Sequence, residues 1–382
     1  MAEHRDSLTS FESHQRWVRK NMPLTATQAE AFPSLSGIRL ACSIHLDPKI
    51  APGISALMKK GAAIFITTCN PTTVRDEVVA WLVREGAEAH AWKDMSGTDF
   101  IEAARQAIAW RPTHVWEMGA TLVSEIVDSG ARPPLRAGME CTGSGIARLK
   151  RLAAEGRLPP APLFNGDEVP IKEGLHNRYL VGQSAWQAFT ERTELSLHRK
   201  NVLVIGYGLV GQGVALTARA LGGTVSVAER DPARALFARY EGLPIVTLEA
   251  GLGAADVIVT ATGAHRVLAA GHFPLLKEGC ILMNVGHAPD EIEVDALGAL
   301  SEVLPFVSEA RVAGRTVYLF AGGSMANLTA GQGDTLNSFD ITMAAMLAGL
   351  RYVLSPEAAA APPGLHPLPR SAWEEVARKA AE

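Results

Sequence analysis

Three glycines, Gly206, Gly208 and Gly211, follow an apolar run, Asn201–Ile205, and open a helical stretch that reaches Ala220. A G-x-G-x-x-G spacing alone is weak, but after a strand and at a helix start it describes a turn that wraps a dinucleotide pyrophosphate. Gly206 permits the tight turn, Gly208 lets the backbone approach the phosphates, and Gly211 lets the helix pack close to the sheet. Leu209 and Val210 lie in the first helical turn, whose free N–H groups and partial positive charge attract phosphate. About 20 residues on, where the fingerprint requires an acid at a strand end, stands Glu229, suited to a ribose diol and hence to NAD over NADP. Arg234 complicates this preference, because an arginine there can take a 2′-phosphate. In the first half His45, Cys69, Asn70, Glu117 and Glu140 fall at or just after the ends of short apolar runs. Such places hold pocket residues, but also ordinary exposed loops, and position alone does not separate the two.

The elements that must position these groups alternate. Gly37–Cys42, Ala62–Thr67, Thr113–Trp116 and Ala161–Phe164 read as strands, with helical stretches such as Val74–Glu85 and Asp99–Ala109 between them. A second series, Asn201–Ile205, Thr224–Ala228, Asp256–Thr260 and Cys280–Asn284, starts near Arg199. Strand–helix alternation predicts an α/β protein with parallel sheets covered on both faces. We expect two Rossmann-like domains: a substrate domain over 1–185, a cofactor domain over 190–335, and a C-terminal helical segment, 338–382, returning to the first. The first 35 residues are polar and carry no clear pattern, and the Ala- and Pro-rich stretch 358–364 reads as a surface loop.

Bulk properties narrow the function. With 382 residues, 47% of them hydrophobic, the chain is long enough for two domains with real cores. A net charge of −4, with no basic block, gives no footprint for nucleic acid. Cys42, Cys69, Cys141 and Cys280 form no C-x-x-C pair, so neither a disulfide framework nor a metal site is suggested, which fits a reducing, cytoplasmic compartment. Neither a leader segment nor a membrane span is read.

Several segments together resemble the S-adenosylhomocysteine hydrolase family. Gly206-Tyr-Gly-Leu-Val-Gly-Gln-Gly213 is similar to its G-Y-G-x-V-G-K-G loop, Glu229-Arg-Asp-Pro232 to E-x-D-P, Thr260-Ala-Thr-Gly263 to T-T-T-G, and Asn284-Val-Gly-His287 to N-I-G-H. In the first half, Ser43-Ile-His-Leu46 resembles C-L-H-M, Thr68-Cys-Asn-Pro71 resembles S-C-N-P, and Ala91-Trp-Lys93 matches as well. Near the end Gly364-Leu-His-Pro-Leu-Pro369 resembles G-V-H-x-L-P. The order is kept from about Ile38 onwards.

The resemblance implies a nucleoside substrate and a cycle in which tightly held NAD oxidises the ribose 3′-hydroxyl. The ketone acidifies the C4′ proton, a base removes it, and the 5′ substituent leaves; in the hydrolase, water then adds and the hydride returns. It assigns His45 to protons at the 5′ leaving group and Lys172 to the 3′-hydroxyl, where a lysine of lowered pKa accepts a proton. Asn177 orients that group. His287 lies near nicotinamide and sugar, and Thr142, Ser144, Asn177, Thr262, Gly263 and Asn284 are implied cofactor contacts. Homodimers or homotetramers are implied too.

The departures cluster in the implied substrate pocket. The family's paired Asp-Asp-Gly-Gly reads Glu117-Met118-Gly119-Ala120, so the second aspartate, part of the proton relay, is a methionine. Glu-Glu-Thr becomes Glu140-Cys141-Thr142, and the aspartate of the D-N pair is His176. Glu117, Glu140, Cys141 and His176 are therefore the candidates for the lost acid. Asp47 replaces a small hydroxyl residue, and Met325 and Asn327 stand in the late segment whose family histidine contacts adenine; with Cys69 and Asn70 they form the expected substrate side. The family's lysine- and tyrosine-bearing tail, which reaches a neighbour's NAD, has no counterpart before Glu382, so easier NAD loss is expected.

A pocket shaped for one transition state should not tolerate several such swaps. The expectation is thus a paralogue that stops after elimination, with water as the leaving group: a nucleoside dehydratase of nucleoside-antibiotic biosynthesis, for example on a psicofuranose-type sugar. The alternatives are an authentic S-adenosyl-L-homocysteine hydrolase, a non-catalytic regulatory homologue, and, least compatible with the first-half motifs, a dehydrogenase of small hydroxy acids.

Overall fold

The computed structural model describes residues 2–288 and 290–382. The chain forms two compact units, one comprising the residues up to Lys172 together with Leu336–Glu382, the other Glu173–Thr335.

The first unit is built on a parallel sheet: β1 (Arg39–Ile44), β2 (Ala63–Thr68), β3 (Glu88–Ala89), β4 (His114–Glu117), β5 (Ala137–Glu140), β6 (Pro162–Asn165) and the chain's last strand, β14 (Gly364–Pro367). Their order is β14-β6-β5-β4-β1-β2-β3. The chain builds outward from β1 in one direction and then resumes at β4 on its other side. This makes the β1/β4 carboxyl ends the topological switch point, where ligands of open α/β sheets bind. Alternate strand residues enter opposite cores: Trp116, Met139 and Phe164 face one layer of helices, Val115 and Leu163 the other.

The C-terminal part is in this unit because the helix Leu336–Val353 buries Met343, Met346, Leu347 and Leu350 in its core. The Asp340 carboxylate also accepts the N–H groups of Leu24 and Thr25 at 3.0 and 2.7 Å, supplying acceptors to the start of the helix Pro23–Glu30.

The second unit carries β7 (Asn201–Ile205), β8 (Thr224–Ala228), β9 (Val257–Thr260), β10 (Cys280–Asn284), β11 (Leu300–Leu304), β12 (Val307–Val312) and β13 (Arg315–Phe320), ordered β11-β12-β13-β10-β9-β7-β8. Its switch point lies between β7 and β9. Both sheets are Rossmann-like, but the second is mixed rather than wholly parallel, since β12 pairs antiparallel with β13 and β11 with β12. Two short turns enforce this. Ala313 and Gly314 both have positive φ, the requirement of a tight hairpin, and a connection of that length cannot cross over to a parallel strand.

Three sequence expectations change. The boundary falls at Lys172/Glu173 instead of 185–190, because the helix Val181–Thr193 packs on the dinucleotide helix Leu209–Ala220: Trp186 donates its indole N–H to the Val214 carbonyl at 2.9 Å. The patternless N-terminus forms the helices Ala2–Asn21 and Pro23–Glu30. The stretch 358–364 is not simply a loop, since Ala358 is fully buried at the end of a short helix, Pro356–Ala359, and Gly364 begins β14. Among the described residues no helix is long and apolar enough to cross a membrane.

Candidate active site

At the first unit's switch point, His45 follows β1. Its Nδ1 lies 2.8 Å from the Thr73 hydroxyl, which donates its own hydrogen to the Asn70 carbonyl at 2.8 Å. The hydroxyl therefore accepts from Nδ1–H, and Nε2 is the basic nitrogen of the ring. Asn70 shapes this loop twice over, because its side-chain oxygen also accepts the Thr72 N–H at 3.1 Å. Asp47, expected on the substrate side, turns inward: its carboxylate accepts the Lys49 and Ile50 N–H groups and pairs with the buried Lys49 ammonium at 3.2 Å.

Glu117 and Glu140 are the last residues of β4 and β5, directly paired across the two strands and both buried. Glu117 accepts the N–H groups of Leu122 (2.7 Å) and Val123 (3.2 Å) at the start of the helix Thr121–Ser129. Glu140 accepts those of Gly119, Ala120 and Thr142 and the Thr142 hydroxyl, all within 3.0 Å. Burial pushes both carboxyl groups up, and the Glu140 charge raises Glu117 further. The geometry makes them staples of the strand-end turns. Thr142 in turn caps the helix Gly143–Ala154 through the Gly145 N–H, with the Ser144 hydroxyl 3.3 Å from its own. Gly145 must lack a side chain, since a Cβ there would sit 2.2 Å from the Glu140 carboxyl carbon.

On the opposite face of these strands Met118 and Cys141 are buried in the apolar core. Burial, reinforced by Glu140, raises the Cys141 thiol far above its ordinary range, so it offers no thiolate; burial does the same to Cys69. Lys172 is buried, and its ammonium is bonded to the carboxylate of Asp167. Asp167 escapes a sequence reading because it lies in an ordinary-looking Asn-Gly-Asp turn whose Asn165 accepts the Asp167 and Glu168 N–H groups.

In the second unit the glycine loop has the shape a dinucleotide needs. Gly206 has φ +93°, and a Cβ on Gly211 would lie 2.0 Å from the Gly206 carbonyl oxygen, so only glycine fits either place. A Cβ on Gly208 would meet nothing nearer than the Arg234 guanidinium at 3.9 Å, which leaves the loop surface open to an approaching phosphate. Leu209 and Val210 begin the helix behind it. Glu229 sits at the end of β8, held by the N–H groups of Tyr207 (2.6 Å), Arg230 (2.7 Å) and Asp231 (2.8 Å). These donors orient both oxygens while leaving lone pairs for a ribose diol.

Beyond β9, Thr262 and Gly263 are pinned by Glu291, a fully buried carboxylate that accepts the Thr262 N–H (3.0 Å) and hydroxyl (2.8 Å) and the Gly263 N–H (2.7 Å). After β10, Asn284 accepts the Thr260 hydroxyl and the Gly286 N–H and donates to the Ala288 carbonyl. It thereby sets the loop that carries His287.

A π-helix, Lys172–Leu180, holds His176 and Asn177. His176 Nδ1 lies 2.8 Å from the buried Asp334 carboxylate, whose other oxygen accepts the Ser184 hydroxyl at 2.8 Å. The change from aspartate to histidine thus comes with a carboxylate supplied by a residue far along the chain. Met325 and Asn327 are buried at the start of the helix Ala326–Thr329, where the Asn327 amide reaches Ser184 at 3.4 Å. Asp167, Asp334 and Glu291 are the site-forming residues that the motif reading passed over; each acts through a partner that local patterns do not show.

Residues 18–132 match the family model described as S-adenosyl-L-homocysteine hydrolase, and residues 177–333 match the NAD binding domain of that enzyme. The adenosylhomocysteinase of Thermococcus kodakarensis is 33% identical over 379 residues, covering 97% of this chain and 90% of the relative. The S-inosyl-L-homocysteine hydrolase of Methanopyrus kandleri is 32% identical over 374 residues, covering 94% and 87%. The adenosylhomocysteinase of Pyrococcus abyssi is 32% identical over 377 residues, covering 95% and 88%.

Proposed function

Because this chain belongs to the S-adenosyl-L-homocysteine hydrolase family, with its NAD-binding domain, we propose that it oxidises a nucleoside sugar transiently and eliminates the exocyclic substituent as water. NAD, when bound, supplies reversible hydride transfer at the sugar carbon. Gly206, Gly208, Gly211 and Glu229 would hold it.

The chain's own groups do the proton work. Lys172, as its neutral amine, accepts the hydroxyl proton as the ketone forms, and Asp167 fixes the position of the ammonium group that results. The ketone acidifies the neighbouring C–H. His176, backed by Asp334, is the base suited to that proton, since the carboxylate stabilises the imidazolium that results. His45 Nε2 delivers a proton to the departing hydroxyl. The C–O bond breaks, water leaves, and a carbon–carbon double bond forms. With NAD bound, the sugar oxidation would be reversible, so the overall elimination needs no net redox change.

The observation that carries water elimination over thioether hydrolysis is that Met118 and Cys141, which stand where the family has acids, are buried in the apolar core. Neither supplies a carboxylate there, Cys141 is held neutral, and Glu117 and Glu140 are bonded to the N–H groups of the strand-end turns. A proton relay altered in this way suits a different leaving group.

The second reading, hydrolysis of an S-nucleosyl-homocysteine, draws on the names of relatives that match nearly the whole chain. Mass spectrometry of products decides. With NAD added, loss of one water from an adenine nucleoside, and no cleavage of S-adenosylhomocysteine, supports the dehydratase. Release of nucleoside and homocysteine at ordinary enzymatic rates overturns it. We also propose self-association through the cofactor unit, supported by Leu236, Phe237 and Tyr240, exposed along the helix Pro232–Tyr240. Light scattering that gives a monomer would refute it.

A further inference from the structure

We infer that the π-helix carrying His176 and Asn177 is positioned by the dinucleotide-binding helix, through Gly213 and a Tyr207–Glu241–Arg178 chain, so that cofactor binding tightens the segment that bears them. This rests on the reading of His176, Asn177 and the glycine loop given above.

The first observation concerns a fourth glycine. The dinucleotide fingerprint uses Gly206, Gly208 and Gly211 and has no need of Gly213. In the structure Gly213 is where two backbones meet. A Cβ there would lie 1.9 Å from the Arg178 carbonyl oxygen and 2.7 Å from its carbon. Gly182, in the helix that continues the π-helix, meets the same spot, since its Cβ would lie 2.4 Å from the Gly213 carbonyl carbon. Both approaches are closer than any side chain allows, so the residue next to Asn177 is seated directly on the second turn of the dinucleotide helix.

The second observation is a continuous set of polar contacts. The Tyr207 N–H donates to Glu229, the acid at the ribose end of the site, at 2.6 Å. The buried Tyr207 ring sends its hydroxyl to Glu241 Oε2 at 2.7 Å, and Glu241 Oε1 accepts the Arg178 guanidinium at 3.1 Å. The Arg219 guanidinium donates to the Glu241 carbonyl at 2.7 Å and holds that end in place. A π-helix leaves its wider turn dependent on outside support, and such turns recur at functional sites. Here the support comes from the loop that would receive the cofactor. Arg178, Glu241 and Gly213 are positioning residues: none is assigned a contact with cofactor or substrate.

Hydrogen–deuterium exchange of the full chain with NAD alone tests this. In the wild type, saturating NAD is expected to slow exchange across 173–180 on the order of fivefold or more, the low end of ordinary coupling between sites. Arg178→Ala and Glu241→Gln should lose that slowing while NAD affinity, measured by fluorescence quenching, changes by less than about threefold, and Arg178→Lys should restore part of it. Gly213→Ala should lose it too, but the side-chain variants keep the test valid if that protein does not fold. Bound NAD with unchanged exchange at 173–180 in the wild type, or full slowing retained in both side-chain variants, would overturn the inference. No NAD binding by the wild type would instead overturn the cofactor assignment, and this inference with it.

Discussion

The ammonium group of Lys172 is seated on the carboxylate of Asp167, with both side chains buried. Two opposite charges out of water hold each other in place, and removing one strands the other. Lys172→Met should therefore have two separable effects. Turnover should fall by roughly 10²- to 10⁴-fold, the usual contribution of a positioned proton acceptor. Folding stability should fall by about 3–5 kcal/mol from the unpaired aspartate. Replacing both partners, Lys172→Met with Asp167→Leu, should recover most of the stability and none of the activity. Denaturant unfolding alongside single-turnover reduction of NAD checks both; a stable, inactive Lys172→Met protein would mean that Asp167 finds another partner.

The stacked carboxyl groups of Glu117 and Glu140 give stability a pH dependence of definite sign. Burial pushes them up to about 8 and about 7, and they titrate as a pair. Folded protein thus retains protons that the unfolded chain releases near the ordinary carboxyl range. Where the folded state binds more protons, stability falls as pH rises. Their contribution should be fully present below about pH 4.5 and be lost progressively up to about pH 8. Glu117→Gln removes one of the two titrations, so its melting temperature should fall less steeply over that range. An unchanged slope would show that Glu117 is ionised in the folded protein at all these pH values.

Glu291 and Gly286 make a steric prediction. A Cβ at 286 would lie 1.6 Å from a Glu291 carboxylate oxygen, the one that accepts the Gly263 N–H. Gly286→Ala should expel that carboxylate and release Thr262 and Gly263 together. The NAD dissociation constant should rise on the order of tenfold or more, the equivalent of about one or two charge-assisted hydrogen bonds. Isothermal titration measures this. Unaltered affinity would mean that the loop after β9 is not part of the cofactor site.

Much of this fold is legible in the sequence. β7, β8 and β10 end where the sequence places them, because buried parallel strands are rich in apolar, mostly β-branched residues, and Gly206, Glu229 and Asn284 mark their ends. The N-terminal helix is not, though Phe11, Gln15 and Val18 line its buried face: polar residues outnumber the two apolar ones, so no apolar stripe stands out. β11 was unreadable for another reason. Its residues are all exposed, so no alternation between core and solvent marks it.

In the candidate site, the residues named by motif are those whose neighbours in sequence are also their neighbours in space, as with Gly206, Gly208 and Gly211. Asp334 reaches His176 from the far end of the cofactor unit, and Glu291 serves a loop nearly thirty residues earlier. Such pairings are set by topology, and no local spacing records them. The same limit explains Glu117 and Glu140. Their type and place at strand ends suit catalysis, and only the hydrogen bonds show them holding turns instead.

Cofactor choice rests on Glu229 and Arg234, which favour opposite outcomes. Glu229 is fixed by three backbone N–H groups at the end of β8, where a carboxylate accepts from a ribose diol and repels a 2′-phosphate. The Arg234 guanidinium reaches back over the loop to within 3.9 Å of where a Gly208 Cβ would stand, so it adds positive charge on the phosphate side. With Glu229 present, the repulsion and the lost diol bonds act together, and NAD should be preferred. Glu229→Ala should weaken NAD by about 1.5–3 kcal/mol, the scale of hydrogen bonds to a charged group, which is on the order of 10- to 100-fold. The same change should strengthen NADP, because Arg234 then faces the extra phosphate without a competing carboxylate. Adding Arg234→Ala should remove that gain and leave a protein that binds both cofactors poorly. Dissociation constants for the two cofactors across the wild type and the two variants give the answer. If Glu229→Ala weakens NAD and NADP equally, the carboxylate acts only by holding the Tyr207 turn, and selectivity must reside in another residue of the loop.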